Sequence, residues 1–238
     1  MTDLVPYLDF VTELCDGARQ ILTVHYRSIP EYDVKEDETP VTIADREVEQ
    51  YLRERIEAAF PTHGILGEEH GSLRLDAEFV WVLDPIDGTK SFASGKPLFT
   101  TLIALCRNQV PLLGAIEAPA TQERWLAATG HGATFQGQPI YTAANRPLAT
   151  SILTATGPDM FRGPHLDAFQ SLSKATRYTL YGSDAYGYGQ LARGDLHLVA
   201  EASLEPYDWC ALVPIIQESG GVITDWSGTP LTLSLIHI

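Results

Sequence analysis

Two aspartates close the apolar run Trp81-Val82-Leu83-Asp84-Pro85-Ile86-Asp87-Gly88-Thr89. Pro85 fixes its own φ and cannot join a strand ladder, so Asp84 and Asp87 are held in a stiff turn and the Ile86 carbonyl is freed from sheet pairing. Two carboxylates and a carbonyl are the hard oxygen donors that suit Mg²⁺. Gly88 and Thr89 then offer backbone N–H groups, and a glycine lets a phosphate come close; a helix starting there would add its dipole. Taken alone, the Asp-Gly step reads as an ordinary turn after a buried strand. Gly67-Glu68-Glu69-His70 also follows a short apolar strand. Adjacent side chains diverge, so one of the two glutamates at most enters a given site, and in isolation the segment reads as a solvated acidic loop. Tyr207-Asp208-Trp209-Cys210-Ala211 opens an apolar helix, where an aspartate is ordinarily a cap or a dipole partner. No single cluster is decisive. Together Glu68, Asp84, Asp87 and Asp208 could hold two Mg²⁺, which none of the clusters could do by itself.

The elements that must position these groups follow from periodicity. Leu4, Leu8, Val11, Leu14, Cys15, Ala18, Ile21, Leu22 and Tyr26 recur every three to four residues and predict an amphipathic helix over 4–27. A second helix is predicted from Thr42, where Thr42 and Asp45 resemble a capping box, with Ala44, Val48, Tyr51, Leu52, Ile56 and Ala59 as its apolar face; Phe60-Pro61 ends it. Short β-rich runs follow at 64–67, 79–84, 100–106, 110–117 and 124–128, with a hairpin at TGHGATFQGQP. Helices followed by an antiparallel sheet read as α+β. Pro139–Pro147 is a seam, giving an N-terminal half over 1–140 and a C-terminal half over 141–238. The second half alternates strand 151–155, helix 165–174, helix 184–192, strand 196–201, helix 208–219 and strand 222–225, which reads as α/β. Pro214 inside the predicted 208–219 helix removes a backbone bond and should kink it.

The composition narrows the chemistry. Among 238 residues, 16 Lys and Arg stand against 31 Asp and Glu, a net charge of −15. That balance argues against a broad nucleic-acid or anionic-membrane surface, but not against an anionic substrate, because a bound divalent cation inverts the local charge. Cys15, Cys106 and Cys210 are odd in number and lie among apolar residues, which predicts buried free thiols in a cytoplasmic protein. The acidic N-terminus lacks the pattern of a signal peptide, and no run is long enough to span a membrane. Gly187–Gly194 has the wrong spacing for a dinucleotide fingerprint, Gly95-Lys96 is no phosphate-binding P-loop, and neither GxSxG nor HExxH occurs. His197 lies in an apolar run and reads as a packed residue rather than a ligand.

WVLDPIDGTKSF and YDWCALVPIIQESGG, with GEEH between the predicted second helix and the first of these, resemble the signature motifs of the inositol-monophosphatase superfamily in order and approximate spacing. The resemblance covers about residues 10–230. It implies a layered α-β-α-β-α sandwich and a lithium-sensitive, Mg²⁺-dependent phosphomonoesterase with two or three ions per site, often a homodimer. Carried over, Glu68, Asp84 and the Ile86 carbonyl hold a first metal, and Asp84, Asp87 and Asp208 a second. Thr89 and Glu68 orient the attacking water, the N–H groups of Gly88 and Thr89 hold phosphate, and Asp45 positions Thr89. Lys35, Asp37 and Thr39 correspond to a loop that some members close over the metals. Some members also act through protein contacts, for example with transcription machinery; the presence of all four carboxylates favours catalysis here.

For the alcohol half of the ester, the candidate wall is Gly182-Ser183-Asp184-Ala185-Tyr186-Gly187-Tyr188-Gly189 with Glu201 and Asp87. Members acting on inositol phosphates also carry an acid at the position of Glu201, but more often a small neutral residue at that of Asp184. Two carboxylates favour a cationic leaving group such as histidinol, and the segment from Gly182 to Ile216, with Tyr207-Asp208 and Leu212-Val213-Pro214, is similar to the histidinol-phosphate phosphatase branch. Asp184 also suits a helix N-cap. Inositol 1-phosphate or a broader set of sugar phosphates is the alternative substrate class. The ending LSLIHI lacks the further strand and helix that the resemblance implies and reads as truncated, with reduced stability expected.

Overall fold

The computed structural model describes residues 3–27, 32–34 and 40–233, with the backbone alone for 32–34 and 40–42. Lys35, Asp37 and Thr39, the Thr42 side chain and residues 234–238 lie outside the described parts. Helix α1 (Val5–His25) is followed by the antiparallel pair β1 (Tyr32–Val34) and β2 (Pro40–Thr42) and by helix α2 (Ile43–Ala59). Next come β3 (Gly64–Gly67), β4 (Ser72–Leu73), β5 (Phe79–Asp87), the short helix α3 (Thr89–Ala93), β6 (Thr100–Arg107), β7 (Val110–Ala118), β8 (Glu123–Ala128), β9 (Gly132–Phe135) and β10 (Gln138–Pro139). The remainder is β11 (Ile152–Ala155), α4 (Gly163–Ala175), β12 (Tyr178–Tyr181), α5 (Asp184–Ala192), β13 (Leu198–Val199), α6 (Pro206–Trp209) and α7 (Leu212–Glu218).

Strands β3 to β10 form one eight-stranded sheet in the order β10-β9-β8-β7-β6-β5-β3-β4. It is antiparallel except for β3 and β5, which pair in parallel, so the expected antiparallel sheet holds for all but one neighbour. Both faces are covered, and alternate side chains of each central strand enter different cores. Trp81 and Leu83 of β5, with Ile103 and Leu105 of β6, pack under α1 and α2. Val80, Val82, Leu102 and Ala104 face the opposite way, toward α5 and α7. Beyond those helices lies the parallel sheet β12-β11-β13, and Phe161 and Phe169 close a third core there with α4. The layers are α-β-α-β-α, the predicted architecture. Among the described residues no helix is long and apolar enough to cross a membrane.

Several local expectations need correcting. β5 does not stop at Asp84 but runs to Asp87, with a register shift between those residues. The shift reverses the alternation, so that Ile86 faces the same core as Trp81 and Leu83. The predicted 208–219 helix is two, α6 and α7. Pro214 is the third residue of α7, where its missing N–H would have had no intrahelical acceptor, so it starts a helix rather than kinking one. Val222–Asp225 is no strand; Val222 is exposed, and Asp225 Oδ1 instead accepts the N–H groups of Ser227 and Thr229. The predicted strand at 196–201 shrinks to β13. β12 went unpredicted, because Tyr178, Leu180 and Tyr181 are exposed and leave no buried alternation to read. Ala59 ends α2 on its exposed side, whereas Asp45, Glu49 and Arg53 are buried on its inner face.

Candidate active site

The β5 bulge builds the centre of the site. Pro85 and Ile86 have no ladder partner, so the Pro85 carbonyl accepts the Thr101 hydroxyl at 2.8 Å and the Ile86 carbonyl accepts the Thr89 hydroxyl at 3.0 Å. Asp84 thereby points with Val80 and Val82 to the side where α6 packs, and Asp87 emerges at the end of the strand. Asp208 is the third residue of α6. Its Oδ2 accepts the Glu205 N–H at 2.7 Å within a capping box, so the cap expected of this aspartate exists and uses only one of its two oxygens.

Asp84, Asp87 and Asp208 each bring a carboxylate oxygen into a group whose members lie within 4.8 Å of one another. Asp84 is buried, and its Oδ1 has no hydrogen-bond partner among the described residues. A buried carboxylate oxygen left unpaired is costly unless a cation takes the place of water. The charges reinforce the point. Burial, then Glu68, Asp87, Asp208 and Asp45, push the Asp84 carboxyl well above the usual range. Burial and Asp184 do the same to Asp87. Burial lifts Asp208 to about 7, against the opposing Glu205 N–H. Three mutually repelling oxygen donors fit a hard divalent cation. Glu68 stands outside the 4.8 Å group, yet near enough for its charge to act on both Asp84 and Asp208.

The candidate alcohol wall adjoins this centre. Asp184 is the first residue of α5, and the N-cap is Ser183, which makes no side-chain cap bond. The capping role considered for Asp184 is therefore not what is found. The cap comes from elsewhere, because Asp87 Oδ2 accepts the Ala185 N–H at 2.7 Å. Asp184 has φ +47°, in the left-handed region, and its Oδ2 accepts the Ser91 hydroxyl at 3.2 Å. That oxygen would lie 2.9 Å from a Cβ on Gly88, and Gly88 itself has φ +79°, so this turn has neither the space nor the conformation for another residue. Lys96 Nζ donates to the Gly182 carbonyl and ties the same loop to the stretch after α3. Across from it, Glu201 Oε1 accepts both the N–H and the hydroxyl of Thr156, at 2.7 and 2.6 Å. Burial raises the Glu201 carboxyl to about 7 despite those two bonds. A cavity of about 440 Å³ reaches Glu201 and Tyr188 but not the three aspartates.

The predicted residues thus come together: Asp84, Asp87 and Asp208 as one group, with Glu68, Thr89, Gly88, Asp184 and Glu201 around it. Asp45 is buried on α2 and its charge acts on Asp84. His197 is no ligand here; its Nδ1 accepts the Ile152 N–H at 3.0 Å. The three cysteines are buried and free. The sequence reading missed Ser91, Lys96 and Thr156, whose types and spacing carry no signal, and the pair Glu49 and Arg53 on α2.

The model of the inositol monophosphatase family matches residues 3–238. The chain belongs to this family. Its members are Mg²⁺-dependent phosphatases acting on small phosphate esters, so this is a phosphatase of the inositol monophosphatase family, and it carries an acidic cluster of a kind that can hold a metal. The chain is 40% identical over 229 residues to the bifunctional phosphatase IMPL2 of Arabidopsis thaliana, covering 95% of this chain and 66% of that one. It is 33% identical over 229 residues to the histidinol-phosphatase of Chlorobaculum parvum, covering 94% and 88% respectively. An inositol monophosphatase structure from Zymomonas mobilis superposes with a TM-score of 0.91 at 38% identity, covering all of this chain and 92% of that one. That structure therefore shares with this chain the sheet that here carries Asp84 and the layers that here bring Asp208 to it.

Proposed function

We propose that this phosphatase hydrolyses L-histidinol phosphate to histidinol and phosphate. The observation that carries the reading is the pair of carboxylates, Asp184 and Glu201, close enough to the aspartate group for both charges to act on Asp87. An acidic pair beside a phosphate site selects an ester whose alcohol is cationic, and histidinol carries an ammonium and an imidazole. The similarity to a protein named histidinol-phosphatase supports it.

Asp84, Asp87 and Asp208, with Glu68 and the Ile86 carbonyl, would hold the metal, as two or three Mg²⁺. Bound there, Mg²⁺ supplies charge neutralisation and a more acidic water. Glu68 and Thr89 orient the attacking water toward phosphorus. The Thr89 hydroxyl proton is committed to the Ile86 carbonyl, so its lone pairs face outward as acceptors. The N–H groups of Gly88 and Thr89 head a helix, have no intrahelical acceptor and hold the phosphate oxygens. Asp45 positions Thr89. The P–O ester bond breaks as the water oxygen bonds to phosphorus, and the alcohol leaves with a proton, with no covalent phospho-enzyme.

Asp184→Asn and Glu201→Gln test the specificity. Asparagine tolerates the left-handed backbone at 184, so the exchange removes charge without refolding the loop. A hydrogen bond to a charged group contributes about 1.5–3 kcal/mol, so kcat/KM for histidinol phosphate should fall about ten- to a hundredfold, while that for inositol 1-phosphate holds or rises. An equal loss for both esters would remove these carboxylates from recognition. Hydrolysis of inositol 1-phosphate or a wider set of sugar phosphates is the second reading. The Zymomonas mobilis structure favours it, and a single acid at Glu201 would suffice to contact a sugar hydroxyl.

A further inference from the structure

The geometry points to Glu49, with Arg53, as the positioning residue that sets the direction of Glu68. Both lie on α2, a separate element from the Gly67-Glu68-Glu69-His70-Gly71 loop, and both are buried; Glu49 has no exposed surface at all. Glu49 Oε2 accepts the Glu69 N–H at 2.7 Å, and Oε1 accepts the His70 N–H at 3.0 Å. Arg53 Nε donates to Oε1 at 2.7 Å, and Arg53 Nη2 donates to the Gly71 carbonyl. That carbonyl also accepts the Gly67 N–H at 3.1 Å, which closes the loop on itself. One carboxylate thus grips the loop by two donors, while its guanidinium partner grips it by an acceptor.

The consequence falls on Glu68. Its own N–H donates to the Leu83 carbonyl, next to Asp84, at 3.3 Å. The peptide before Glu68 is therefore pinned to β5, and the peptide after it is pinned to Glu49. With both flanking peptide planes fixed, the φ and ψ of Glu68 are fixed, and with them the direction in which its side chain leaves the backbone. Gly67 belongs to the same device. A Cβ there would sit 2.1 Å from Glu49 Oε1, so the glycine is required for the carboxylate to approach at all. A buried ion pair does not stabilise a fold efficiently by itself. Here it satisfies loop donors and a loop acceptor and holds one carboxylate beside a metal centre, the role that outer-shell partners play around metal ligands.

The inference rests on Glu68 serving the metal. It is tested by calorimetric titration of the substrate-free, metal-free protein with Mn²⁺, comparing wild type, Glu68→Gln, Glu49→Gln, Arg53→Lys and the core control Leu22→Ala. In Glu49→Gln an amide N–H₂ must face one of the loop donors, so the Glu69 peptide is released. Mn²⁺ affinity should fall about 10- to 100-fold, kcat should fall with KM for the ester nearly unchanged, and Arg53→Lys should show a smaller loss of the same kind. Leu22→Ala should melt lower with its metal affinity intact. Wild-type affinity in Glu49→Gln, despite a lower melting temperature, overturns the inference, and if that variant does not fold, wild-type affinity in Arg53→Lys does so. If Glu68→Gln weakens Mn²⁺ binding and Glu49→Gln does not, only the positioning role fails. If Glu68→Gln itself leaves binding unchanged, the assignment of Glu68 as a ligand fails with it.

Discussion

Asp84→Asn should leave the protein folded and nearly inactive. Asp84 is the only member of the aspartate group that is fully buried, and its Oδ1 has no hydrogen-bond partner among the described residues. The amide would keep the shape of the side chain and the β5 register but lose the charge that four neighbouring acids make costly and a cation makes useful. Electrostatic stabilisation by a metal at a phosphoryl group contributes several kcal/mol, and about 4 kcal/mol corresponds to roughly a thousandfold in rate. Removing one buried negative charge from a repelling cluster also relieves the metal-free fold, so the variant should melt no lower than wild type without metal and gain less from added Mg²⁺. Phosphate release and melting with and without Mg²⁺ check both halves. Turnover close to wild type in this variant would sink the assignment of the centre.

The second large effect is expected far from the chemistry. Gly114→Ala should lower the melting temperature sharply. Gly114 lies in β7 on the face that meets α7, where a Cβ would stand 1.9 Å from the Ala211 carbonyl oxygen and 2.9 Å from Pro214 Cγ. Ala211 is in the link between α6 and α7, and its backbone cannot rotate away as the end of a long side chain could. Overpacking of this kind costs about 1–3 kcal/mol, and a backbone obstacle places it at the upper end. For a chain of this length that is a fall of about 6–12 °C in Tm. Because α6 carries Asp208, activity should drop together with stability. An unchanged melting temperature would mean that β7 and the α6–α7 link pack less tightly than described.

What could be read from the residues follows physical lines. Strong periodicity made α1, α2 and the central strands legible, because each buries a regular face against one core. The stiffness of the Asp84-Pro85-Ile86-Asp87 segment was legible because proline fixes its φ, but it reads as a turn that ends the strand at Asp84, whereas the strand runs on through a bulge to Asp87. The break between α6 and α7 was not, because propensity runs unbroken through Cys210 and Ala211 and only packing against Gly114 shows where the link lies. Glu49 and Arg53 stayed hidden because an acid and a base four residues apart on a helix look like an exposed ion pair. Their burial follows from a loop about twenty residues away. Asp184 was read as a cap or a substrate contact; that Asp87 supplies the α5 cap in its place depends on two segments nearly a hundred residues apart.

The most direct test of the account is phosphate release by the wild-type chain from histidinol phosphate and from inositol 1-phosphate, side by side, with Mg²⁺ and with chelator. The predicted result is a clear preference for histidinol phosphate, abolished by chelator and restored by Mg²⁺. Chelator-resistant turnover, or a preference for inositol 1-phosphate, would contradict it.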